Sequence, residues 1–413
     1  MDKIGFNTAI LHYAPNGEPN TGATLPPIYQ SSAFQHESAE VLEKIFENKA
    51  AGFSYTRINN PTIEAFEKKI TMLEGGISSV ACASGMAALT NAFLNILQAG
   101  DEIVAAPGLY GGTIDLFRDF EAFGIKTFYA SDNSPKAFAS QMTGRTKLIF
   151  AETIGNPKLD VTDIKGLADI AHEHDVPLII DNTTATPYLV RPLSLGADIV
   201  VSSSSKYING NSDAISGILT DAGTYRWSKE KYPGLSDYIK FGKMAYIAKL
   251  RKGLFRNTGA CLSPQNAFLN CIGLETLGLR MERQCANAFA LAAFLEKLNA
   301  DITVNYPGLA SSPYHELAKR QLDNGYGGIV TFRAGSKERA FQIINSLKLP
   351  LIISNVGDTK TLVIHPASTI SLYCTDKEKE ASGVYDDLIR ISVGIEDIED
   401  LKADFENALK GGN

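Results

Sequence analysis

A chain of 413 residues, 44% hydrophobic and 21% charged, is long enough for a large core and for two domains, and this make-up excludes a disordered polymer. A formal net charge of −7 argues against nucleic acid or an anionic membrane as the main partner. The five cysteines (Cys82, Cys261, Cys271, Cys285 and Cys374) are odd in number and widely spaced, without a CxxC, so neither a disulfide framework nor a zinc site is indicated. No metal is expected. The amino terminus lacks the basic-then-apolar run of a signal peptide and no stretch is long enough to span a bilayer, which makes the cytoplasm the expected compartment.

Residues 1–60 show no regular alternation of strand and helix. Thr21-Gly-Ala-Thr-Leu-Pro-Pro-Ile-Tyr-Gln30 reads as extended and turn-rich, and a short amphipathic helix follows over 38–48; such an arm is expected to pack on a neighbouring subunit. Asn60-Pro61 then supplies an N-cap and a proline at the first helical position, opening a helix that stops at Glu74-Gly-Gly76. Strands are predicted near 79–83, 102–106, 125–130, 146–151, 177–181, 198–202 and 214–220, with helices near 86–98, 113–123, 134–142 and 163–174. That alternation predicts an α/β fold over 61–256, a mostly parallel central sheet with helices on both faces. Residues 226–256 carry nine Lys or Arg against two acids, which reads as a solvated basic face. The remainder, 257–413, reads as a long helical stretch over 265–299 and a smaller α+β domain with strands near 302–305, 328–333, 350–354, 361–364 and 389–392.

Chemistry gathers at the carboxyl ends of the predicted strands, where open α/β sheets bind ligands. In Ala197-Asp-Ile-Val-Val-Ser-Ser-Ser-Ser-Lys206 an apolar strand runs into four serines and a lysine, and a partly desolvated lysine can attack a carbonyl. Ala83-Ser-Gly-Met-Ala-Ala-Leu89 follows a strand and opens a helix, so its free amides and the positive helix end suit a phosphate. Pro177-Leu-Ile-Ile-Asp181 puts an acid where a carboxylate needs a cationic partner, and a protonated pyridine nitrogen is a suitable one. Gly108-Leu-Tyr110-Gly-Gly-Thr113 offers a ring that can stack on a flat cofactor and move protons. Each has an ordinary structural explanation when taken alone; together they describe pyridoxal 5'-phosphate binding.

With these residues in place, the chain resembles the cysteine and methionine metabolism family of fold-type I pyridoxal-phosphate enzymes. The matching stretches are Tyr55-Thr-Arg57-Ile-Asn-Asn-Pro61-Thr62, Ala83-Ser-Gly85-Met86, Leu109-Tyr110-Gly-Gly-Thr113, Glu152-Thr-Ile-Gly-Asn156-Pro157, Asp181-Asn-Thr and Arg390-Ile-Ser-Val-Gly-Ile-Glu396. The resemblance implies a homotetramer, a dimer of dimers with shared active sites. It implies that Lys206 forms the Schiff base, that Asp181 pairs with the pyridinium, and that Tyr110 stacks on the ring. Gly85 and Met86 amides, Ser203 and Ser205 hydroxyls, and Tyr55 and Arg57 of a neighbouring subunit would hold the phosphate, and Asn156 would face the phenolic oxygen. Arg390 would grip the carboxylate of an amino-acid substrate, with Ser354 and Tyr55 nearby. The family usually has histidine where this chain has Ser202, Asn211 and, nearby, Ser371.

Within the family, Asn355-Val-Gly-Asp358-Thr-Lys360-Thr-Leu-Val-Ile-His365-Pro-Ala-Ser-Thr369, the Glu152-Thr-Ile-Gly-Asn156-Pro157 run, Val304-Asn-Tyr-Pro-Gly-Leu309 and Gly112 resemble O-acetylhomoserine sulfhydrylases. Asn257-Thr-Gly-Ala-Cys-Leu-Ser-Pro264 and a short segment before it look more like methionine γ-lyases. The implied reaction is γ-replacement, O-acetyl-L-homoserine with sulfide or a thiol giving L-homocysteine or its thioether and acetate. The alternatives are α,γ-elimination of methionine, cystathionine synthase or lyase activity, and a non-catalytic pyridoxal-phosphate-binding protein.

Overall fold

Five of the seven strands of the main sheet lie side by side and point the same way, because each is joined to the next by a helix that crosses the sheet. The computed structural model describes residues 4–12, 21–47, 49–298 and 301–411. The strands are β1 (Ser78–Cys82), β2 (Glu102–Ala105), β3 (Lys126–Tyr129), β4 (Thr146–Glu152), β5 (Leu178–Asp181), β6 (Ile199–Ser202) and β7 (Gly217–Asp221), in the order β1-β7-β6-β5-β4-β2-β3. Strands β2 to β6 are parallel, whereas β7 runs antiparallel to both β6 and β1. It follows that β1 has the same sense as β6, so six strands deliver their carboxyl ends to one edge. Leu148, Ile149, Phe150, Ala151, Ile179, Ile180 and Ile199 are fully buried, as expected for strands covered on both faces.

The helix signals hold their places. Asn60 Oδ1 accepts from the Thr62 amide at 2.9 Å and caps helix Pro61–Glu74, while its Nδ2 donates to the Tyr29 carbonyl at 2.7 Å. Gly75, at φ 75, ends that helix in the left-handed conformation glycine favours. Ser84 caps Gly85–Leu94, Ser134 caps Pro135–Gln141 and Asp163 caps Ile164–Glu173. In the arm, Ser38 caps Ala39–Phe46, and the expected end at Asn48 lies outside the described residues.

Two expectations are corrected. The helical stretch over 265–299 is two helices, Pro264–Glu275 and Leu277–Leu298, and Asn299 lies outside the described residues. The break is stabilised by Arg280, whose guanidinium donates to the Gly273 carbonyl at 2.7 Å and to Thr276 Oγ1 at 3.2 Å. The same guanidinium donates to the Tyr207 carbonyl at 2.6 Å and the Ile208 carbonyl at 3.2 Å, tying the break to the chain that follows Lys206. The basic segment, in turn, is not simply a solvated face. Arg251 pairs with buried Glu67 at 2.6 Å, Lys249 donates to the Asn95 carbonyl, Lys231 donates to the His174 carbonyl, and Trp227 stacks on Tyr246.

Helix Leu277–Leu298 joins two cores: Leu277, Met281 and Cys285 pack with the large sheet, and Ala288, Leu291, Ala292 and Leu295 with a second one. That second sheet contains β8 (Thr303–Asn305), β9 (Ile329–Arg333), β10 (Leu351–Ile352), β11 (Leu362–Ile364) and β12 (Leu388–Ser392), ordered β10-β11-β12-β9-β8. All its pairings are antiparallel except β10 with β11. Strand β10 is shorter than the predicted 350–354, and the chain beyond it turns toward the edge of the large sheet. Replacing Asn60 by Ala removes its side-chain hydrogen bonds to Tyr29, Thr56 and Thr62 and is expected to cost about 1–2 kcal/mol, read as a lower urea midpoint at unchanged slope.

Candidate active site

A cleft of about 410 Å³ opens at the carboxyl edge of the large sheet. Its lining includes Gly85, Met86, Tyr110, Asn156, Asp181, Ser203, Ser205, Lys206, Ser354 and Arg390, so ten sequence-predicted site residues meet there within one chain. A larger hollow of about 1140 Å³, lined from 45–79 and 251–261, contains none of these groups.

The turn at Ser84 and Gly85 is built for close approach. A Cβ on Gly85 would meet Ser203 Cβ at 2.6 Å and Oγ at 2.9 Å, and one on Gly217 would meet the Ser84 carbonyl oxygen at 2.1 Å. Only glycine fits at both places. Ser84 Oγ accepts from the Ala87 amide at 3.0 Å, while the amides of Gly85 and Met86 and the hydroxyl of Ser203 have no partner among the described residues. Ser205 differs: its hydroxyl donates to the Ser216 carbonyl at 2.9 Å and accepts from the Ser216 amide at 2.8 Å. Free donors at a positive helix end suit a phosphate, with Ser203 the freer of the two serines.

Lys206 follows β6 in a turn whose carbonyls Arg280 holds. Burial first, and then the positive charge of Arg390, push the pKa of its amine below that of an ordinary lysine, favouring the neutral, nucleophilic form. Its Nζ donates to Asn355 Oδ1.

Asp181 ends β5 beside Glu152 at the end of β4, the two being register partners on adjacent parallel strands. Asp181 Oδ1 accepts from the Thr183 amide at 2.8 Å, and Glu152 Oε1 accepts from the Tyr110 amide at 2.6 Å. Burial raises the pKa of both carboxyls, and for Glu152 the charge of Asp181 adds to the rise. A cation set against Asp181 would therefore favour the ionised form of Asp181 over that of Glu152. Tyr110 starts helix Gly111–Glu121, and its ring lies where a side chain at Gly112 would be, with Cε1 2.7 Å from the position of a Cβ. Burial raises its phenol pKa, so Tyr110 stands as a neutral hydrogen-bond donor.

Arg390 lies on β12, 3% exposed, and burial pushes its pKa down to about 10. It donates to Asn156 Oδ1 at 3.0 Å and to the Asn355 carbonyl at 2.9 Å, its Nε is buried without a partner, and no acid among the described residues pairs with it. A carboxylate is the group that would complete a planar guanidinium so placed. Asn156 reaches the same guanidinium, and Ser354 sits at the exposed rim.

Tyr55 and Arg57 are not in the cleft of their own chain. Arg57 donates to the Arg256 carbonyl at 2.5 Å and lies 5.4 Å from the centroid of the Tyr55 ring. Ser202 faces away from Ser203 and is buried with its hydroxyl unpartnered, and Asn211 is exposed. Sequence alone assigned no role to Glu152, Thr183, Ser212 or Asn355. The logic that singled out Asp181, an acid closing an apolar strand, applies equally to Glu152; Asn355 and Ser212 lie far from Lys206 or in an irregular loop and carried no comparable signal. Among the described residues no cluster of His, Cys, Asp or Glu is placed to hold a metal, and no helix is long and apolar enough to cross a membrane.

An unpaired acid at a strand end, a depressed lysine, free donors at a helix start and an acid-free arginine all fit pyridoxal phosphate and an amino-acid carboxylate. The fold and this cleft define a pyridoxal-phosphate enzyme of fold type I. The model of the Cys/Met metabolism PLP-dependent enzyme family matches residues 7–410, and the chain belongs to that family. It is 41% identical over 420 residues to homocysteine synthase of Schizosaccharomyces pombe, covering 98% of each chain. It is 42% identical over 427 residues to O-acetyl-L-homoserine sulfhydrylase of Corynebacterium glutamicum, covering 99% of this chain and 97% of that one. A solved structure of a putative O-acetylhomoserine (thiol)-lyase from Campylobacter jejuni, which carries N'-pyridoxyl-lysine-5'-monophosphate, is similar with TM-score 0.91 at 33% identity, over 98% of this chain and 100% of that one.

Gly85→Ala crowds Ser203 and is expected to weaken cofactor retention by about 1–3 kcal/mol, measured as the cofactor concentration needed to restore visible absorbance after dialysis.

Proposed function

We propose that this chain is an O-acetylhomoserine sulfhydrylase, converting O-acetyl-L-homoserine and sulfide to L-homocysteine and acetate. One observation carries the chemistry: Lys206, Asp181 and the unpaired, buried Arg390 face one cleft without forming ion pairs among themselves. Near-full-length relatives that bear this activity in their names support the choice of substrate. Gly112 supports it too, since a side chain there would displace the Tyr110 ring.

Bound pyridoxal phosphate supplies an electron sink for negative charge developing at the substrate carbons next to the amino group. Gly85, Met86, Ser203 and Ser205 would hold its phosphate, Asp181 would keep its ring nitrogen protonated, Asn156 would face its phenolic oxygen and Tyr110 would stack on its ring. Arg390 binds the substrate carboxylate and so fixes which substrate bonds face Lys206. Lys206, as a neutral amine, would take the α-proton, give it up within the cleft and, neutral again, take a proton from the β-carbon. Acetate leaves the γ-carbon without an acid, hydrosulfide takes its place, and Lys206 returns protons to the β- and α-carbons. Tyr110, a phenol here, donates a hydrogen bond rather than acting as the base.

In this reading residues 1–60 form an arm that carries Tyr55 and Arg57 to the phosphate of a neighbouring subunit, with Tyr55 also facing its substrate. Residues 61–256 are the cofactor domain, 257–413 the long helical segment and small domain, and the assembly is a homotetramer of two such dimers. The cytoplasm is its compartment, where the five free cysteines stay reduced.

Purified holoenzyme is expected to form homocysteine from O-acetylhomoserine and sulfide much faster than it releases α-ketobutyrate and methanethiol from methionine; the opposite order would make it a methionine γ-lyase. Arg390→Lys keeps the charge but loses the planar fork, and should lower kcat/KM by about 2 kcal/mol, roughly thirtyfold, mostly through KM. Light scattering is expected to show a tetramer, and a monomer that retains cofactor would remove Tyr55 and Arg57 from the site.

A further inference from the structure

A directed chain of hydrogen bonds runs from Lys206 into the segment between β10 and β11. Lys206 Nζ donates to Asn355 Oδ1, Asn355 Nδ2 donates to Ser212 Oγ at 2.9 Å, and Ser212 Oγ donates to Asp358 Oδ2. The far end is anchored, because Asp358 Oδ1 accepts from the Lys360 amide at 2.9 Å and from Lys360 Nζ at 3.1 Å. Asp358 is buried, which works against its charge, but the bonds from Ser212 and Lys360 outweigh that and hold its carboxyl below the ordinary range. An ionised carboxylate only accepts, so Ser212 must spend its one proton there and accept from Asn355. The amide is thereby oriented with its oxygen toward Lys206. Ser212 sits at φ 58, a left-handed conformation that serine rarely adopts, and this strained residue is the link between Asn355 and Asp358.

We propose that Asn355, oriented by Ser212 and Asp358, is the positioning residue that receives the Lys206 amine whenever that amine is free of the cofactor, and holds it facing the cleft. The proposal rests on Lys206 being the proton-moving lysine of the proposed reaction. An amide oxygen suits this task better than a carboxylate would, because it accepts one N–H without supplying a counter-charge that would lock the lysine as an ammonium. The lone pair then stays available for a substrate proton. Every donor in the chain points toward Asp358, so the bonds polarise one another and strengthen the Asn355 acceptor. The other charged or titratable groups at the cleft are Arg390 on β12, Asp181 and Glu152 at the ends of β5 and β4, and Tyr110. Asn355 also accepts from Arg390 through its carbonyl, so one residue sets the place of both side chains.

The test reads the amine itself. In the cofactor-free full-length chain, acetylation of Lys206 by acetic anhydride is followed against pH by peptide mass spectrometry. Asn355→Asp supplies a counter-charge and is expected to raise the midpoint by about one pH unit or more; Asn355→Leu and Ser212→Ala remove the acceptor or its orientation and should lower it. Ser212→Ala, at an exposed loop position, keeps the test open if an Asn355 variant fails to fold. Coincident midpoints in wild type and variants would overturn the proposal. In the holoenzyme, deuterium exchange at the α-carbon of L-norvaline, read by NMR, is expected to fall about tenfold or more in Asn355→Leu, and its low-pH limb to move upward in Asn355→Asp. Exchange unchanged in rate and pH profile would also overturn it. Neither measurement uses O-acetylhomoserine or sulfide, so a failure of the sulfhydrylase assignment leaves both results interpretable.

Discussion

Acidic and basic groups kept apart in one cleft are the constraint on which the rest of this structure depends. Lys206 and Arg390 share a partly buried space with Asp181 and Glu152, yet none of the four pairs with another among the described residues. Left to relax in a low dielectric such groups would collapse into ion pairs, and the cleft would lose its affinity for an anionic, ring-bearing ligand. Each is instead held by a neutral partner: Thr183 for Asp181, the Tyr110 amide for Glu152, Asn156 and a backbone carbonyl for Arg390, and Asn355 for Lys206. The unspent electrostatic free energy is what, in the proposed function, a pyridinium and an amino-acid carboxylate would take up on binding.

Holding charges apart requires that they come from elements that cannot slide. The acids sit at the ends of adjacent buried strands in fixed register, and Lys206 follows a third. Arg390 comes from a different sheet, and the two sheets are joined by helix Leu277–Leu298, which lends one end to each core. Arg280 in that helix binds the carbonyls directly after Lys206, so the position of the lysine and the junction of the two cores are mechanically one feature. The site is therefore a property of the seam between the two sheets.

Membership of the Cys/Met metabolism family places the chemistry at substrate carbons near the amino group, where an electron sink is useful.

Much of this was legible in the sequence, for a local reason. Strand and helix positions follow from apolar runs, caps and glycines that act within a few residues; Asn60, Ser84 and Gly75 each do in the structure what their sequence context implies. Lys206, Asp181, Tyr110 and the Gly85 turn could be singled out because a parallel sheet sends all its carboxyl ends to one edge, so residues that close strands meet without any knowledge of strand order. The antiparallel β7, the break at Thr276 and the internal engagement of the basic segment were decided by tertiary contacts, above all those of Arg280 and Arg251. Asn355 and Ser212 belong with them: 143 residues separate the two, and neither has a pattern that signals the other. An unmistakable residue type at a strand end is a sequence property, whereas a neutral partner that keeps a charge in place exists only once distant segments have been packed together.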